Sequence, residues 1–102
     1  MNEFLEKKKA IFSHVLKSIR TEYNISQNDL AGRLGVTQSY ISKLERGERG
    51  IEIFELMDYC QAMGISLTQF SARFEWKIGL ELPSDKAHMK FFLSVLHSFN
   101  IT

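Results

Sequence analysis

The side chains best suited to chemistry in this 102-residue chain lie between residues 38 and 43. If Ile41 and Leu44 mark the buried side of a helix, the opposite side presents one amide, two hydroxyls and one ammonium group. These groups belong to Gln38, Ser39, Ser42 and Lys43. Glutamine can pair with adenine through two hydrogen bonds, serine can bond several bases, and lysine can reach guanine or phosphate. The spacing therefore predicts a helix face that reads base edges in the DNA major groove.

A second group of residues around this face is suited to holding phosphate. The free backbone N–H groups that follow Ser26, with the Gln27 side chain, form a natural phosphate contact at a helix start. The complete set predicted to contact the DNA backbone is Ser26, Gln27, Thr37, Tyr40, Arg46 and Arg49. Taken one at a time, such polar side chains are better explained as ordinary solvated surface, because they are common there. Their common register with two helix caps and a glycine turn favours the DNA interpretation.

Other kinds of chemistry find little support in the sequence. His14, His88 and His97 are scattered without the spacing of metal ligands, so neither a metal site nor a cofactor is predicted. The single Cys60 excludes an intramolecular disulfide, and its place on an apolar helix face predicts a small buried residue. No nucleophile–base pair, paired-carboxylate site or phosphate-binding glycine loop is evident, so an enzyme is not expected. The lack of a signal peptide or membrane-length apolar run predicts a cytoplasmic protein without a membrane partner.

Charge is distributed unevenly along the chain. Residues 1–50 contain nine Lys or Arg and six Asp or Glu, whereas residues 51–102 contain four and six. A positive half and a slightly negative half suit a protein that approaches phosphate with one face only. The net charge of +1 is small, so this asymmetry adds support to the DNA interpretation without establishing it.

Five helices in a mainly α fold are expected to position these groups. Helical spacing of apolar residues predicts the first helix over 3–23, and Asn24 stands where a left-handed residue closes it. Ser26 with Asp29 is a capping-box signature that starts the second helix, and Gly35 supplies the left-handed residue at its end.

The remaining helices are predicted by the same signals. Thr37 is expected to cap the third helix, and Gly47 to end it. The fourth helix is predicted over 52–63, and the fifth over 67–74, where a second capping box precedes it. The residues expected to face inward on the fourth helix are Ile53, Leu56, Met57, Cys60 and Met63.

The tail has a different pattern. Apolar and polar residues alternate strictly over 76–82, which is typical of a half-buried strand; Pro83 ends the strand and Ser84 opens a last helix. Because a lone strand leaves unpaired backbone groups, pairing with the same strand of a second molecule is expected. The alternative is an extended segment packed on its own domain. The predicted organisation is therefore a domain over 1–74 and a strand–helix dimerisation extension over 75–102. The residues expected at the dimer interface are Trp76, Ile78, Leu80, Leu82, Phe92, Val95, Leu96 and Phe99.

Residues 16–70 resemble the helix-turn-helix DNA-binding domain of the Cro and phage-repressor type, the xenobiotic-response-element (XRE) family of bacterial regulators. The residues that carry the resemblance are Ser26-Gln27, Leu30-Ala31, Leu34-Gly35-Val36, Thr37-Gln38-Ser39, Ile41-Ser42, Leu44-Glu45, Gly47, Leu56, Met63-Gly64-Ile65 and Phe70. The resemblance implies a five-helix, lambda-repressor-like fold and regulation of transcription, usually as a dimer on an inverted repeat. It also implies an internal ion pair between Arg20 and Glu45.

Two classes of function follow from these observations. The first is a sequence-specific regulator that binds double-stranded DNA through the major groove, acting as a homodimeric repressor on an inverted-repeat operator. The alternative is a protein-interaction module, such as an antitoxin or regulatory partner, that retains the fold.

Overall fold

The computed structural model describes residues 3–82, 93, 94 and 97, and residues 3–82 contain five α-helices. In chain order the helices are α1 (Glu3–Glu22), α2 (Gln27–Leu34), α3 (Gln38–Glu45), α4 (Ile53–Met63) and α5 (Leu67–Glu81). No helix within this part of the chain is long and apolar enough to cross a membrane.

Local signals at the helix ends explain where α2 and α3 begin and where α2 ends. The Ser26 hydroxyl accepts a hydrogen bond from the Asp29 N–H at 3.0 Å, which satisfies one free donor at the start of α2. Thr37 does the same for α3 by accepting from the Tyr40 N–H at 3.1 Å. Between them, Gly35 has a φ of +68°, a left-handed conformation that a residue without Cβ adopts at no steric cost. The predicted turn between α2 and α3 is confirmed.

The last two helices each begin with a complete capping box. At α5, Ser66 and Gln69 exchange side-chain and backbone hydrogen bonds, as the sequence predicted. At α4 the same exchange is made by Glu52 and Glu55, although neither Ser nor Thr is present there. Both helices therefore start at defined residues.

The core lies between the five helices, with α1 packed against α3 and α5. Its fully enclosed side chains include Leu16, Leu30, Ile41, Tyr59 and Phe70, one from each helix. Each such side chain contributes about 1.5–3 kcal/mol relative to leaving it exposed to water. Packing of this kind holds α2 and α3 in one orientation, although each has only eight residues and would be marginal as an isolated helix.

The prediction of a strand over 76–82 is wrong, because α5 continues to Glu81 and Leu82 is its cap residue. Phe70, Phe74, Ile78 and Leu82 recur every fourth residue and form one continuous side of the helix. Phe70, Ile78 and Leu82 are buried, and Phe74 packs against the same core. The Leu82 N–H donates to the Ile78 carbonyl at 2.8 Å, so the backbone is satisfied within its own chain and needs no partner strand.

This correction changes the predicted dimer interface. Ile78 is 1% exposed and Leu82 6% exposed, so both belong to the core of their own chain. Trp76 and Leu80 lie on the other side of α5, at 37% and 53% exposed. The boundary expected between residues 74 and 75 falls inside α5. The other predicted interface residues, Phe92, Val95, Leu96 and Phe99, and most of the predicted last helix lie outside the described residues.

The inward face of α4 also differs from the expectation. Ile53 and Met57, predicted to be buried, are 52% and 48% exposed, whereas Tyr59 is fully buried. The buried side follows Leu56, Tyr59, Cys60 and Met63, a spacing of three, one and three residues. The hydroxyl of a buried tyrosine needs a hydrogen-bond partner, and for Tyr59 that partner is Glu45 of α3.

Candidate nucleic-acid interface

The outer side of α3 presents three of the four predicted base-reading side chains to solvent. Gln38, Ser39 and Lys43 are exposed, and Ser42 is partly buried. The Ser42 hydroxyl accepts a hydrogen bond from Arg46 Nη1, one turn further along. Ile41 and Leu44 hold the opposite side of α3 in the core, at 0% and 1% exposed. The structure therefore brings the predicted set together on one helix face.

A buried ion pair supports α3 from behind. Arg20 Nε donates to Glu45 Oε2 at 2.6 Å, and Arg20 Nη2 donates to Glu45 Oε1 at 2.9 Å. Arg20 Nη1 donates to the Ile25 carbonyl at 2.7 Å, which fixes the turn between α1 and α2. The Tyr59 hydroxyl donates to Glu45 Oε2 at 3.2 Å. One carboxylate thus joins α1, α3 and α4, in the pairing that the resemblance implies for Arg20 and Glu45.

The ionised form of Glu45 is favoured in this environment. Burial acts to raise the pKa of Glu45, but hydrogen bonds from Arg20, Gln27 and Tyr59 together hold it below its ordinary value of 4.5. The Tyr59 pKa is raised well above its ordinary value by burial and by the neighbouring Glu45 carboxylate. At neutral pH Glu45 is therefore an ionised carboxylate that accepts hydrogen bonds from the neutral Tyr59 phenol and the Arg20 guanidinium.

Gln27 connects this buried pair with the exposed face. Gln27 Nε2 donates to Glu45 Oε1 at 3.0 Å, and Gln27 Oε1 accepts a hydrogen bond from Gln38 Nε2. The sequence predicted Gln27 as a contact to the DNA backbone and gave no sign of a bond to Glu45. The two residues are 18 positions apart, so no local spacing rule relates them.

Tyr40 is turned toward α4. Its hydroxyl donates to Glu55 Oε2 at 2.8 Å, and the Arg49 guanidinium carbon lies 4.3 Å from the centre of its ring. Burial and the bond to Glu55 raise the pKa of Tyr40. A phosphate contact by this hydroxyl, as predicted, would require exchange of the Glu55 bond. The ring also positions Arg49, because a cation over an aromatic face is attracted to it.

Arg46 is paired with an acid in the same loop. Its Nε atom donates to Glu48 Oε2 at 2.6 Å, with half of each side chain exposed. Such exposed pairs are weakly held in water and exchange readily for another anion. Ser26 and Thr37, by contrast, use their hydroxyls as helix caps. The acids Glu48 and Glu55 were missed in the sequence, since the partner of Glu48 is set by the conformation of the loop and that of Glu55 by the packing of α3 against α4.

Metal and nucleophile chemistry have no evident basis in the part of the chain that the structure describes. No group of three or more His, Cys, Asp or Glu side chains there is placed to hold a metal ion. Cys60 is fully buried, and burial raises the pKa of its thiol to about 11. A thiol of this kind is protonated at neutral pH and unreactive.

Comparison with known proteins agrees with this geometry. The family model described as helix-turn-helix, HTH_3, matches residues 16–70, from the middle of α1 to the buried Phe70 of α5. The chain belongs to the helix-turn-helix family. This helix-turn-helix protein is 38% identical over 48 residues to an uncharacterized HTH-type transcriptional regulator, y4dJ, of Sinorhizobium fredii. That match covers 47% of this chain and spans 62% of the relative's length.

Two solved structures are similar over a larger part of the helix-turn-helix protein. The wild-type restriction–modification controller protein C.Esp1396I superposes with a TM-score of 0.66 at 30% identity, over 70% of this chain and 92% of that one. The clp gene regulator ClgR from Corynebacterium glutamicum superposes with the same TM-score at 22% identity, over 93% and 96%. The latter likeness concerns the fold alone. The chain therefore has the DNA-binding fold of helix-turn-helix transcriptional regulators.

Proposed function

We propose that this protein is a sequence-specific DNA-binding repressor that acts as a homodimer on an inverted-repeat operator. The observation that carries the proposal is the exposed hydrogen-bonding face of α3, formed by Gln38, Ser39 and Lys43 over a fully buried opposite side. Arg46 and Arg49 flank this face, where they would meet phosphates at the edge of the groove.

A single copy of α3 reads too little DNA for a specific operator. Its eight residues span about 12 Å, at about 1.5 Å per residue, which corresponds to roughly four base-pair steps. Two copies related by a two-fold axis would read two half-sites about 34 Å apart, in successive major grooves. A homodimer therefore supplies the length of contact that specificity requires.

For the dimer interface we propose the outer side of α5, defined by Trp76 and Leu80. These two large apolar residues lie one helical turn apart and are 37% and 53% exposed. Exposed apolar neighbours of this kind are a common feature of contact surfaces between subunits. A two-fold axis beside α5 would bring the same surface of both copies together.

Selection of operator fragments from a random DNA pool, followed by footprinting, tests the DNA-binding part. We expect Gln38→Ala to relax selectivity at one base pair in each half-site, at a cost of about 1–3 kcal/mol for the preferred base. Arg49→Ala should weaken all fragments alike and reduce the salt dependence by about one counterion. Gln61→Ala, an exposed change on α4, is the matched control. Failure to bind any fragment better than bulk competitor DNA would refute the proposal.

Sedimentation velocity tests the dimer. Leu80→Glu should convert a dimer into a folded monomer, because it places a charge at the proposed contact. Phe54→Glu changes an equally apolar side chain that is 69% exposed on α4, and should leave the dimer intact. A dimer that survives Leu80→Glu but dissociates with Phe54→Glu would move the interface to α4.

A promoter–operator reporter tests repression. If the dimer forms through α5, reporter expression should be lower with the wild-type protein than with Leu80→Glu.

One observation favours a second candidate, a protein-interaction module. Ile53, Phe54 and Met57 form an exposed apolar cluster at the start of α4, which is larger than an isolated surface residue would explain. If this cluster serves a protein partner in place of DNA, Gln38→Ala with Lys43→Ala should leave the cellular phenotype unchanged. In that case Phe54→Glu should abolish the phenotype.

A further inference from the structure

We propose that a groove beside the end of α3 binds a small organic carboxylate with an apolar body, and that this ligand competes with DNA for Arg49. The groove lies between α1, the loop residues 47–51 and α5, and has a volume of about 520 Å³. Pockets that hold small molecules commonly measure about 300–1,000 Å³. None of the predicted base-reading side chains of α3 lines the groove, so it is separate from the face that reads DNA.

The lining of the groove is largely apolar. Leu5 and Phe12 of α1, Ile51 of the loop and Phe74 of α5 contribute to it. Each of these four side chains is only partly buried, so each keeps apolar surface in contact with water. A bound alkyl chain or ring would remove that surface from water, which is the main driving force for binding an apolar ligand.

A buried hydroxyl opens into the groove. Ser13 is 7% exposed, and its hydroxyl has no hydrogen-bond partner among the described residues. In that part of the chain no polar side-chain atom is both sealed from solvent and unpaired, so Ser13 Oγ must face the groove that it lines. The hydroxyl lies against the end of α3, since a Cβ added at Gly47 would be 3.4 Å from Oγ. A donor in this position favours a ligand that accepts a hydrogen bond.

The charges around the groove favour an anion. Lys9 lines it from α1 and Arg49 lines it from the loop. Glu48 also lines it, but its carboxylate is paired with Arg46. Lys9 and Ser13 are four residues apart, so they lie on the same side of α1. One carboxylate can therefore accept from both, while its apolar body lies on the apolar lining.

Arg49 connects the groove with the DNA interface. It lies on the loop that follows α3, with its guanidinium carbon 4.3 Å from the centre of the Tyr40 ring. A guanidinium that pairs with the ligand carboxylate is less available to a DNA phosphate, so ligand and operator should weaken each other's binding by the same factor. This competition rests on the proposed phosphate contact of Arg49, whereas binding in the groove does not.

Titration of the full chain with octanoate, followed in ¹⁵N–¹H spectra, tests the groove. We expect saturable shifts of the backbone signals of Ser13, Gly47 and Gly50, which line it. At equal concentration 1-octanol and acetate should each bind more weakly, because the first lacks the charge and the second lacks the apolar body. Shifts that do not saturate, or that fall on residues away from the groove, would overturn the proposal.

Lys9→Glu and Lys7→Glu form a matched pair of charge reversals. Both lysines are exposed on α1 and each contacts an acid about one turn earlier, but only Lys9 lines this groove. Lys9→Glu should weaken octanoate binding about 2- to 30-fold, because an attraction is lost and a repulsion of similar size is gained. Ser13→Ala should weaken it about 5-fold, the equivalent of one net hydrogen bond. Equal effects of the two lysine changes would contradict the assignment.

Fluorescence anisotropy of a selected operator fragment, at constant ionic strength, measures the effect on DNA. Saturating octanoate should weaken binding of the wild type to the operator by about 5-fold or more. With Arg49→Ala, compared at the same octanoate occupancy, the effect should be much smaller because no guanidinium is left to compete for. Unchanged operator affinity of the wild type would refute the competition. If no operator is selected at all, it is the DNA-binding proposal that fails, and the octanoate titration still decides whether the groove binds a carboxylate.

Discussion

Replacement of Arg20 by methionine gives the strongest test of how α3 is supported. Arg20 is 8% exposed and its guanidinium makes three hydrogen bonds, two to Glu45 and one to the Ile25 carbonyl. Methionine retains much of the apolar stem but none of the donors. The variant leaves the Glu45 carboxylate buried with only Gln27 and Tyr59 as neutral partners.

The expected loss of stability is large for a domain of this size. Removing one partner of a buried ion pair costs about 3–5 kcal/mol, because the remaining charge is left uncompensated. Total stabilities of small domains are about 5–15 kcal/mol, so roughly a fifth or more of the stability is at stake. The midpoint of urea unfolding should fall by at least ~1 M, given a slope of about 1–3 kcal/mol per molar urea.

The deficit should depend on pH. In the wild type the pKa of Glu45 is lowered in the folded state, so the stability it contributes is present above pH 4.5 and is lost as the pH falls through the lower folded value. Without Arg20, burial acts on Glu45 with less opposition and raises its pKa, so acid neutralises the stranded carboxylate. The difference in the free energy of unfolding between wild type and Arg20→Met should therefore become smaller as the pH falls from about 7 to about 4.

Circular dichroism during urea titration at several pH values measures both effects. Arg46→Met is the matched control, because it removes the exposed pair with Glu48 and should change stability little. The double variant Arg20→Met with Glu45→Met should recover part of the loss, since no buried charge is left unpaired. A loss no larger than that of Arg46→Met, or one that does not change with pH, would refute the reasoning.

Four further predictions concern stability and reactivity. Gly32→Ala should stabilise by up to about 1 kcal/mol, because Gly32 lies inside α2 with no atom within 4 Å of an added Cβ. Gly35→Ala should destabilise the protein by about 1–2 kcal/mol, because Gly35 has a φ of +68°. If urea titration shows that Gly32→Ala and Gly35→Ala change the free energy of unfolding in the same direction, this reasoning is contradicted. Ile78→Ala should cost about 2–5 kcal/mol at any protein concentration, whereas a cost that grows on dilution would indicate a contact between subunits. Cys60 should react with a thiol reagent only on unfolding, and rapid labelling of the native protein would contradict its burial.

Local chemistry made much of the fold predictable. Ser26, Thr37 and Ser66 cap helices because a short side-chain oxygen reaches a free N–H three residues on, and that geometry involves nearby residues alone. The left-handed Asn24, at φ 57°, and Gly35 follow from the same kind of local rule. The exposed face of α3 was predictable for this reason too, because two buried residues define the orientation of an eight-residue helix.

The tail shows where a local pattern was insufficient. Residues 76–82 alternate as a strand does, yet Ile78 and Leu82 also continue the four-residue spacing that begins at Phe70. Both patterns are present, and the choice between them depends on what lies alongside. Phe12 of α1 meets Phe70 and Phe74 edge-on, with ring centres 5.3 and 5.5 Å away, so the side of α5 that contains them packs on α1. Burial against α1 therefore favours the helix.

By itself, the sequence determined the caps of α2, α3 and α5, the turn between α2 and α3, and which residues of α3 face outward, because each depends on neighbours a few positions away. Only the tertiary structure decided the partners of those residues. It placed Gln27 between Glu45 and Gln38, directed Tyr40 to Glu55 and buried Tyr59 beside the ion pair. These contacts join residues 11 to 18 positions apart, and they form because the packing of separate helices brings their donors and acceptors together.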